Sequence, residues 1–586
     1  MLSMEQRILV AIGDEPANLV LKNARILDVS SGEFQYGDIA ISGDEIVGVY
    51  ESYVGCCEID LQRKAVVPGF IDGHRHVESN LTPRIAEAVL PRGVTSLVWD
   101  PHEMANVKGK LGIEYALAIA GQSAMDIFVN LPSCVPATPL GTSGAILAIN
   151  DLLPYANHPK VIGLAELMDI GGVLGRVQEV LAKAKAFENI HIDGHLPGIH
   201  GKNLSGMIAS GVTTDHESTT LEEAQEKLSK GVHVLARAGS AAQNIPTLAK
   251  LFKPFTAAHT GFCTDDRNPD DIEREGDIDY AIRTAIRHGA DPVSAYIAAS
   301  YGAAKAFGLT RRSEKFGAPR GAIAPGWKAD LVVLDDVETC KIHSVYKNGE
   351  RVTEATFAHR LIPDMKEALN TVLIKETCVE DFRITARNTD ASSESRPAIG
   401  IIFGQIVTRP EILALPVANG FVEADPEQDV AKLVVMERHG INGNVGKGFI
   451  AGFGFNPGKW ALASTVSHDD HNLVIAGTDD LSISVAANHL RKSGGGYVAV
   501  KDGRVIAALD LPLFGLMSAK SPSAVAQELR TLLKTTREAL GGRLHDAFQT
   551  LAFLSLSVIP TRKLTDKGYT EFDPANGDQG PRLSSF

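Results

Sequence analysis

Side chains able to hold a metal ion recur at the ends of short apolar runs in this 586-residue sequence. The clearest run is Val67-Pro-Gly-Phe-Ile-Asp-Gly-His-Arg-His-Val-Glu, which sets His74 and His76 two residues apart. On a strand, residues i and i+2 share a face, so both imidazoles project from one strand end. Imidazole nitrogen suits zinc, iron or manganese. Alone, the pair could equally be two polar residues closing a strand. Other runs change that reading: Val161-Ile-Gly-Leu-Ala-Glu166, His191-Ile-Asp-Gly-His195, Thr214-Asp215-His216-Glu217 and Phe262-Cys-Thr-Asp265-Asp266. Together they offer His74, His76, Glu166, His195, His216 and Asp265. Six ligands exceed one tetrahedral site, which predicts two ions sharing Glu166. Paired ions sit about 3.5–4 Å apart, a gap one carboxylate spans.

Elements must bring these residues to one place. Eight strand-like runs, at 65–71, 95–99, 126–130, 161–165, 190–193, 212–215, 232–236 and 261–264, alternate with helical patterns such as 176–188, 221–230 and 280–288. A phrase recurs before several strands: Arg92-Gly93-Val94, Ser210-Gly211-Val212 and Lys230-Gly231-Val232. Helix, terminating glycine and strand is how an α/β unit closes. Eight such units over residues 66–315 predict a (β/α)8 barrel. Its catalytic residues belong at the C-terminal strand ends, where the six ligands fall. A doubly wound sheet is the rival, but no GxGxxG or GxxxxGK[ST] phosphate loop supports it. Residues 1–65 and 316–365 carry short strands and turns, including Asn348-Gly349. They predict one small β-sandwich assembled from both flanks. Residues 366–398 form a linker region, 399–586 a C-terminal α+β domain, and the last dozen residues fray.

Composition narrows the function. Lys plus Arg number 57 and Asp plus Glu 71, a net charge of −14, which argues against nucleic-acid binding. No apolar stretch reaches about 18 residues, so no membrane span is expected. The N-terminal residues lack a secretory apolar core. Six scattered cysteines without a CxxC pair predict neither a disulfide scaffold nor a thiolate zinc site, and fit a reducing cytoplasm.

On these residues the chain resembles the amidohydrolase superfamily, and within it the bacterial adenine deaminases, over nearly its whole length. The superfamily marks are Pro68-Gly-Phe-Ile-Asp-Gly-His-Arg-His and Ile323-Ala-Pro-Gly-Trp-Lys-Ala-Asp-Leu-Val-Val-Leu. The narrower marks are Asp100-Pro-His-Glu103, Leu164-Ala-Glu-Leu-Met-Asp169, Gly194-His195-Leu-Pro-Gly, Cys263-Thr-Asp-Asp-Arg-Asn-Pro269 and Ser467-His-Asp-Asp-His-Asn472. The resemblance implies a metal-dependent hydrolase. Its hydroxide attacks C6 of adenine to give hypoxanthine and ammonia. His74 and His76 hold one ion, and Glu166 bridges where many superfamily members have a carboxylated lysine. His195 and His216 hold the other, and Asp265 touches the metal or its hydroxide and shuttles protons. It implies two divalent ions per chain (Mn2+, Fe2+ or Zn2+, with Mn2+ or Fe2+ favoured), a small-molecule substrate and a homo-oligomer.

Further candidates keep two readings each. His102 and Glu103 contact substrate or support a ligand. Asp266 lies near the pocket or in a surface ion pair with Arg267. Arg237 and Ser240 are assigned to substrate binding. Arg237 precedes Ala238, where relatives usually carry Glu, so substrate or rate could differ. His468, Asp469 and His471 bind an ion, cap the site or order a turn. A hydrolase of another aminated purine or heterocycle, or of a cyclic amide, would use the same metal site. A silent scaffold barrel would have lost ligands, and a base-flipping zinc deaminase would carry HxE…PCxxC, which is absent.

Overall fold

The computed structural model describes residues 3–358, 362–403, 405–542, 544, 546–573 and 580–584. Eight parallel strands follow one another around a barrel: β1 (Phe70–Arg75), β2 (Val94–Trp99), β3 (Asp126–Leu131), β4 (Val161–Leu167), β5 (His191–Gly194), β6 (Thr214–Asp215), β7 (His233–Arg237) and β8 (Thr260–Cys263). Nearly every residue of these strands is buried, as expected of a parallel sheet covered on both faces. Gly93, Gly211 and Gly231 all take positive φ, 86°, 101° and 90°. Each ends a helical turn in a conformation only glycine adopts freely, then releases the chain into a strand.

The ring closes where β1 meets β8. The Asp265 amide donates to the His74 carbonyl (3.0 Å) and the His76 amide to the Asp265 carbonyl (3.2 Å). Arg75 and Asp265 form a single bridge there. Asp265 itself sits at φ 54°, a left-handed conformation that is uncommon away from glycine and concentrates at functional sites.

The expected first strand, 65–71, divides at Gly69. Ala65–Pro68 belongs to a different sheet, antiparallel to Leu331–Asp336 and parallel to Ala17–Asp28. Only Phe70 onward enters the barrel. Both flanks therefore join in one eight-stranded sheet. Its inward residues, among them Leu21, Ile26, Ile39, Val66 and Val333, share one apolar cluster. A helix, Met4–Ala11, precedes it.

The C-terminal part is a nine-stranded sheet carrying the helices Asp480–Ser493 and Pro522–Leu540, with a three-stranded sheet beyond. The region read as linker, 366–398, is corrected in its last residues. Ser393–Ile401 is a full strand paired with Thr408–Ala418. Its polar residues reflect a half-exposed strand, not a loop. Upstream, Ile374 and Phe382 pack into the apolar cluster beneath the helix Asp480–Ser493. At the chain end, Arg582–Leu583 pairs with Gly568–Phe572. The rest of the expected frayed segment lies partly outside the described residues.

The C-terminal part packs on the barrel. Barrel residues such as Leu97 and Ile127 share one apolar cluster with Leu433, Phe514 and Leu529. Thr142 donates twice to Asp566 (2.9 and 2.6 Å) and accepts from Asn472 (3.0 Å). Among the described residues no helix is long and apolar enough to cross a membrane.

Candidate active site

Each expected ligand stands at or just past a strand end, and the barrel brings all six together. His74 ends β1 and His76 follows it; Glu166 lies in β4; His195 and His216 follow β5 and β6; Asp265 follows β8. His74 Nε2 and His76 Nε2 face each other at 3.2 Å. Their other nitrogens are committed as donors: His74 Nδ1 to Asp193 (2.7 Å) and His76 Nδ1 to the Asp100 carbonyl (3.0 Å). Both Nε2 atoms therefore present lone pairs to one point. Two ligands about 2.1 Å from one ion stand at such a separation, and second-shell acceptors of this kind fix the tautomer that binds metal. Asp265 Oδ1 is 3.2 Å from His76 Nε2 and 3.7 Å from His74 Nε2.

Glu166 divides its carboxylate. Oε1 faces His76 (3.6 Å) and Oε2 faces His195 (2.8 Å) and His216 (3.3 Å). One oxygen looks to the first histidine pair and the other to the second. His216 leaves Nδ1 buried without a hydrogen-bond partner among the described residues, and its ring stacks on His74 with centroids 3.9 Å apart. The donor set is nitrogen and carboxylate oxygen throughout, which fits a divalent transition ion.

The electrostatics call for positive charge. Burial works against a charged His216, yet Glu166, Asp193 and Glu217 push its pKa up to about 10. Burial likewise disfavours charge on Asp193, but His74 and His216 draw its pKa down to about 2. Glu166 and Asp265 are held well below the carboxylate range despite burial, by His195 and by Arg237 respectively. These carboxylates need cations beside them.

His102 and Glu103 line the same cavity. His102 Nδ1 lies 2.8 Å from Asp100 Oδ2 and 3.5 Å from Glu166 Oε1. Glu103 meets His471 and His468 of the C-terminal part. Asp266 also lines the cavity and pairs with His468 (3.2 Å). It makes no ion pair with Arg267, which instead binds Glu275 (2.8 Å). Arg237 is at the cavity but is held by Glu217 and Asp265. Ser240 is a correction. Its hydroxyl donates to Asp271 (2.5 Å) and accepts from the Asn268 amide (3.0 Å), and it lies outside the lining of this cavity, whose nearest loop residues are Gly239, Ala241 and Ala242. Ala238 is buried in the barrel core and does not line the cavity.

Sequence reasoning missed Asp193 and Glu217. Asp193 precedes His195 by two in β5, and that spacing alone could have marked it. The apolar wall of Phe553, Leu556 and Ile559 had no local signal.

Comparison with known proteins gives the family. The amidohydrolase family matches residues 65–352 and the adenine deaminase C-terminal domain residues 405–575. An adenine deaminase of Brucella anthropi is 47% identical over 97% of this chain and 99% of its own. One of Gluconobacter oxydans is 46% identical over 96% of this chain and 97% of its own. This chain belongs to the adenine deaminase family. Its barrel is the family's amidohydrolase part, and membership implies a divalent metal at the site. The C-terminal match includes His468, Asp469, Phe553 and Ile559, so the family's second part supplies one wall of the cavity.

Proposed function

We propose that this chain hydrolyses adenine to hypoxanthine and ammonia, using two divalent ions held by His74 and His76, by His195 and His216, and by Glu166 between them. The observation that carries the dinuclear reading is the split Glu166 carboxylate, with one oxygen toward each histidine pair. Such a pair, Mn2+ or Fe2+ by family resemblance, supplies Lewis acidity and water ionised near neutral pH. The protein's own groups do the rest. Asp265, turned inward by its left-handed backbone and steadied by Arg237, accepts the proton of the attacking water. It delivers that proton to ring N1, then takes the remaining proton of the added hydroxyl and gives it to the amine as the C6 carbonyl forms. The C6–N bond breaks, and ammonia leaves with the bonding electrons. Glu103 and His102 stand at the cavity wall to orient the ring, and Asp266 presents a carboxyl oxygen without a partner among the described residues. The apolar wall excludes bulk water. Six cysteines, all free, support a reducing compartment. Ala238 no longer favours another substrate, since its side chain does not reach the cavity.

The test is an adenine-to-hypoxanthine assay on chelated protein reloaded with Mn2+, Fe2+ or Zn2+, with bound metal counted. Turnover that needs two ions per chain supports the reading. Two ions without turnover would discard adenine as substrate, and no bound metal would discard the ligand set.

A further inference from the structure

One wall of the cavity comes from outside the barrel. His468 and Asp469 enter from the segment after the strand Trp460–Ser464. His468 reaches Glu103 through Nδ1 (2.6 Å) and Asp266 through Nε2 (3.2 Å). Its ring stacks on Phe553, with centroids 4.8 Å apart and planes 17° from parallel. One imidazole thus ties the helix after β2, His102–Lys108, to the loop after β8. Beside it, Asp469 is only 6% exposed. Asp469 Oδ1 stands 3.9 Å from both His102 Nε2 and His468 Nδ1, outside hydrogen-bond range. Its Oδ2 is buried with no partner among the described residues. A buried carboxyl oxygen without a donor is costly, and a native site that keeps one calls for a specific explanation. Here the residue lines the cavity that holds the candidate metal ligands.

We propose that Asp469 is a substrate-binding residue, accepting a hydrogen bond from the N–H of the purine's five-membered ring. The C-terminal part then selects the substrate together with the barrel. The inference rests on adenine deamination as argued above. Position decides which N–H. His102 separates Asp469 from the bridging carboxylate: its Nδ1 faces Glu166 and its Nε2 faces Asp469. Asp469 is therefore one imidazole farther from Glu166. A purine whose C6 lay at the candidate metal ligands, with its ring system turned toward the C-terminal wall, would bring its five-membered ring to Asp469. Asp469 and Asp266 both offer acceptor oxygens, so a donor edge is what complements this wall.

The experiment uses the full-length, metal-loaded chain and its Asp469→Asn and Asp469→Ala variants. Substrates are adenine, 7-methyladenine and 9-methyladenine; neither methylated purine has a ring N–H. Metal content and the equilibrium Kd of hypoxanthine are measured alongside turnover. The expected result is a KM for adenine raised about tenfold or more in both variants, with hypoxanthine binding weakened in step. Metal content stays unchanged, and the methylated purines shift by less than about twofold, since they never made the bond. Equal losses on all three purines, or an unchanged KM for adenine, would overturn the assignment. Should both variants fail to fold, the wild type still decides. Equal Kd values for adenine and the methylated purines would overturn the assignment, and weaker binding of both methylated forms upholds it. A wild type that binds two ions but does not turn over adenine fails the proposed function instead.

Discussion

At the scale of single residues, the site is a problem in charge. Five carboxylates, Asp193, Glu166, Glu217, Asp265 and Asp266, converge on four histidines in a largely buried cavity. Arg237 offsets Glu217 and Asp265, and bound cations would balance the rest. Glu166→Gln keeps the shape and removes the charge that both histidine pairs face. The variant is expected to lose about one metal equivalent and its turnover, since a bridging carboxylate is part of both ion sites. Metal analysis with the hypoxanthine assay checks this, and full activity would remove the bridge. Ala238→Glu is expected to leave the rate on adenine unchanged. The residue is buried in the barrel core, and its carbonyl accepts from Arg267 Nη1 at 2.9 Å. A faster variant would place a carboxylate in the cavity after all. The histidine and carboxylate cluster that the barrel gathers was legible in the sequence because strand ends and i, i+2 spacing are local properties. Ser240 was not. It sits on a loop, where no periodicity tells which way a hydroxyl turns.

At the scale of elements, β2, β6 and β7 announced themselves through glycine-ended turns, and the other strands after β1 through apolar runs. The first strand was misplaced because Val66-Val67-Pro68 and Phe70-Ile71 read as one apolar run. Periodicity does not register the chain passing from one sheet to another at Gly69. The helix Asp480–Ser493 left clear marks, an Asp479 cap accepting from the Ser482 amide and Gly494 at φ 81°. Two histidines outside the metal site give these elements a pH signature. Burial lowers His233, at the start of β7, to a pKa of about 3, and lowers His439, beside the Asp470 carbonyl at 2.8 Å, to about 3. Unfolded, each takes up a proton below about 6.5, and folded only near 3, so the unfolded chain binds more protons in between. Stability is whole above pH 6.5 and is lost as pH falls toward 3. Each ring should cost about 2 kcal/mol at pH 5 relative to pH 7. Urea midpoints at the two pH values measure it, and His233→Gln should flatten the difference. An unchanged difference would mean that His233 is already protonated in the fold.

At the scale of the whole molecule, the catalytic cavity belongs to neither half alone. The barrel supplies the polar floor and the C-terminal part the apolar wall and two further polar side chains, across a seam stitched by Thr142, Asp566 and Asn472. The sequence offered capping of the site by His468 and Asp469 only as one of three readings, because residues more than 300 positions apart meet there without any shared pattern. The ring itself has a corresponding weakness. β1 and β8 share one bridge, Arg75 to Asp265, and two backbone hydrogen bonds among His74, His76 and Asp265, beside the two bonds Thr264 makes to the Asp72 side chain. The backbone contacts of this seam lie at the candidate metal ligands. An ion seated on those side chains is also a clasp, and its departure leaves the barrel free to breathe at one joint. Deuterium exchange should register this: the amides of His76 and Asp265 are expected to exchange slowly in loaded protein and much faster after chelation, while those of β3 and β4, on the far side of the ring, keep their protection.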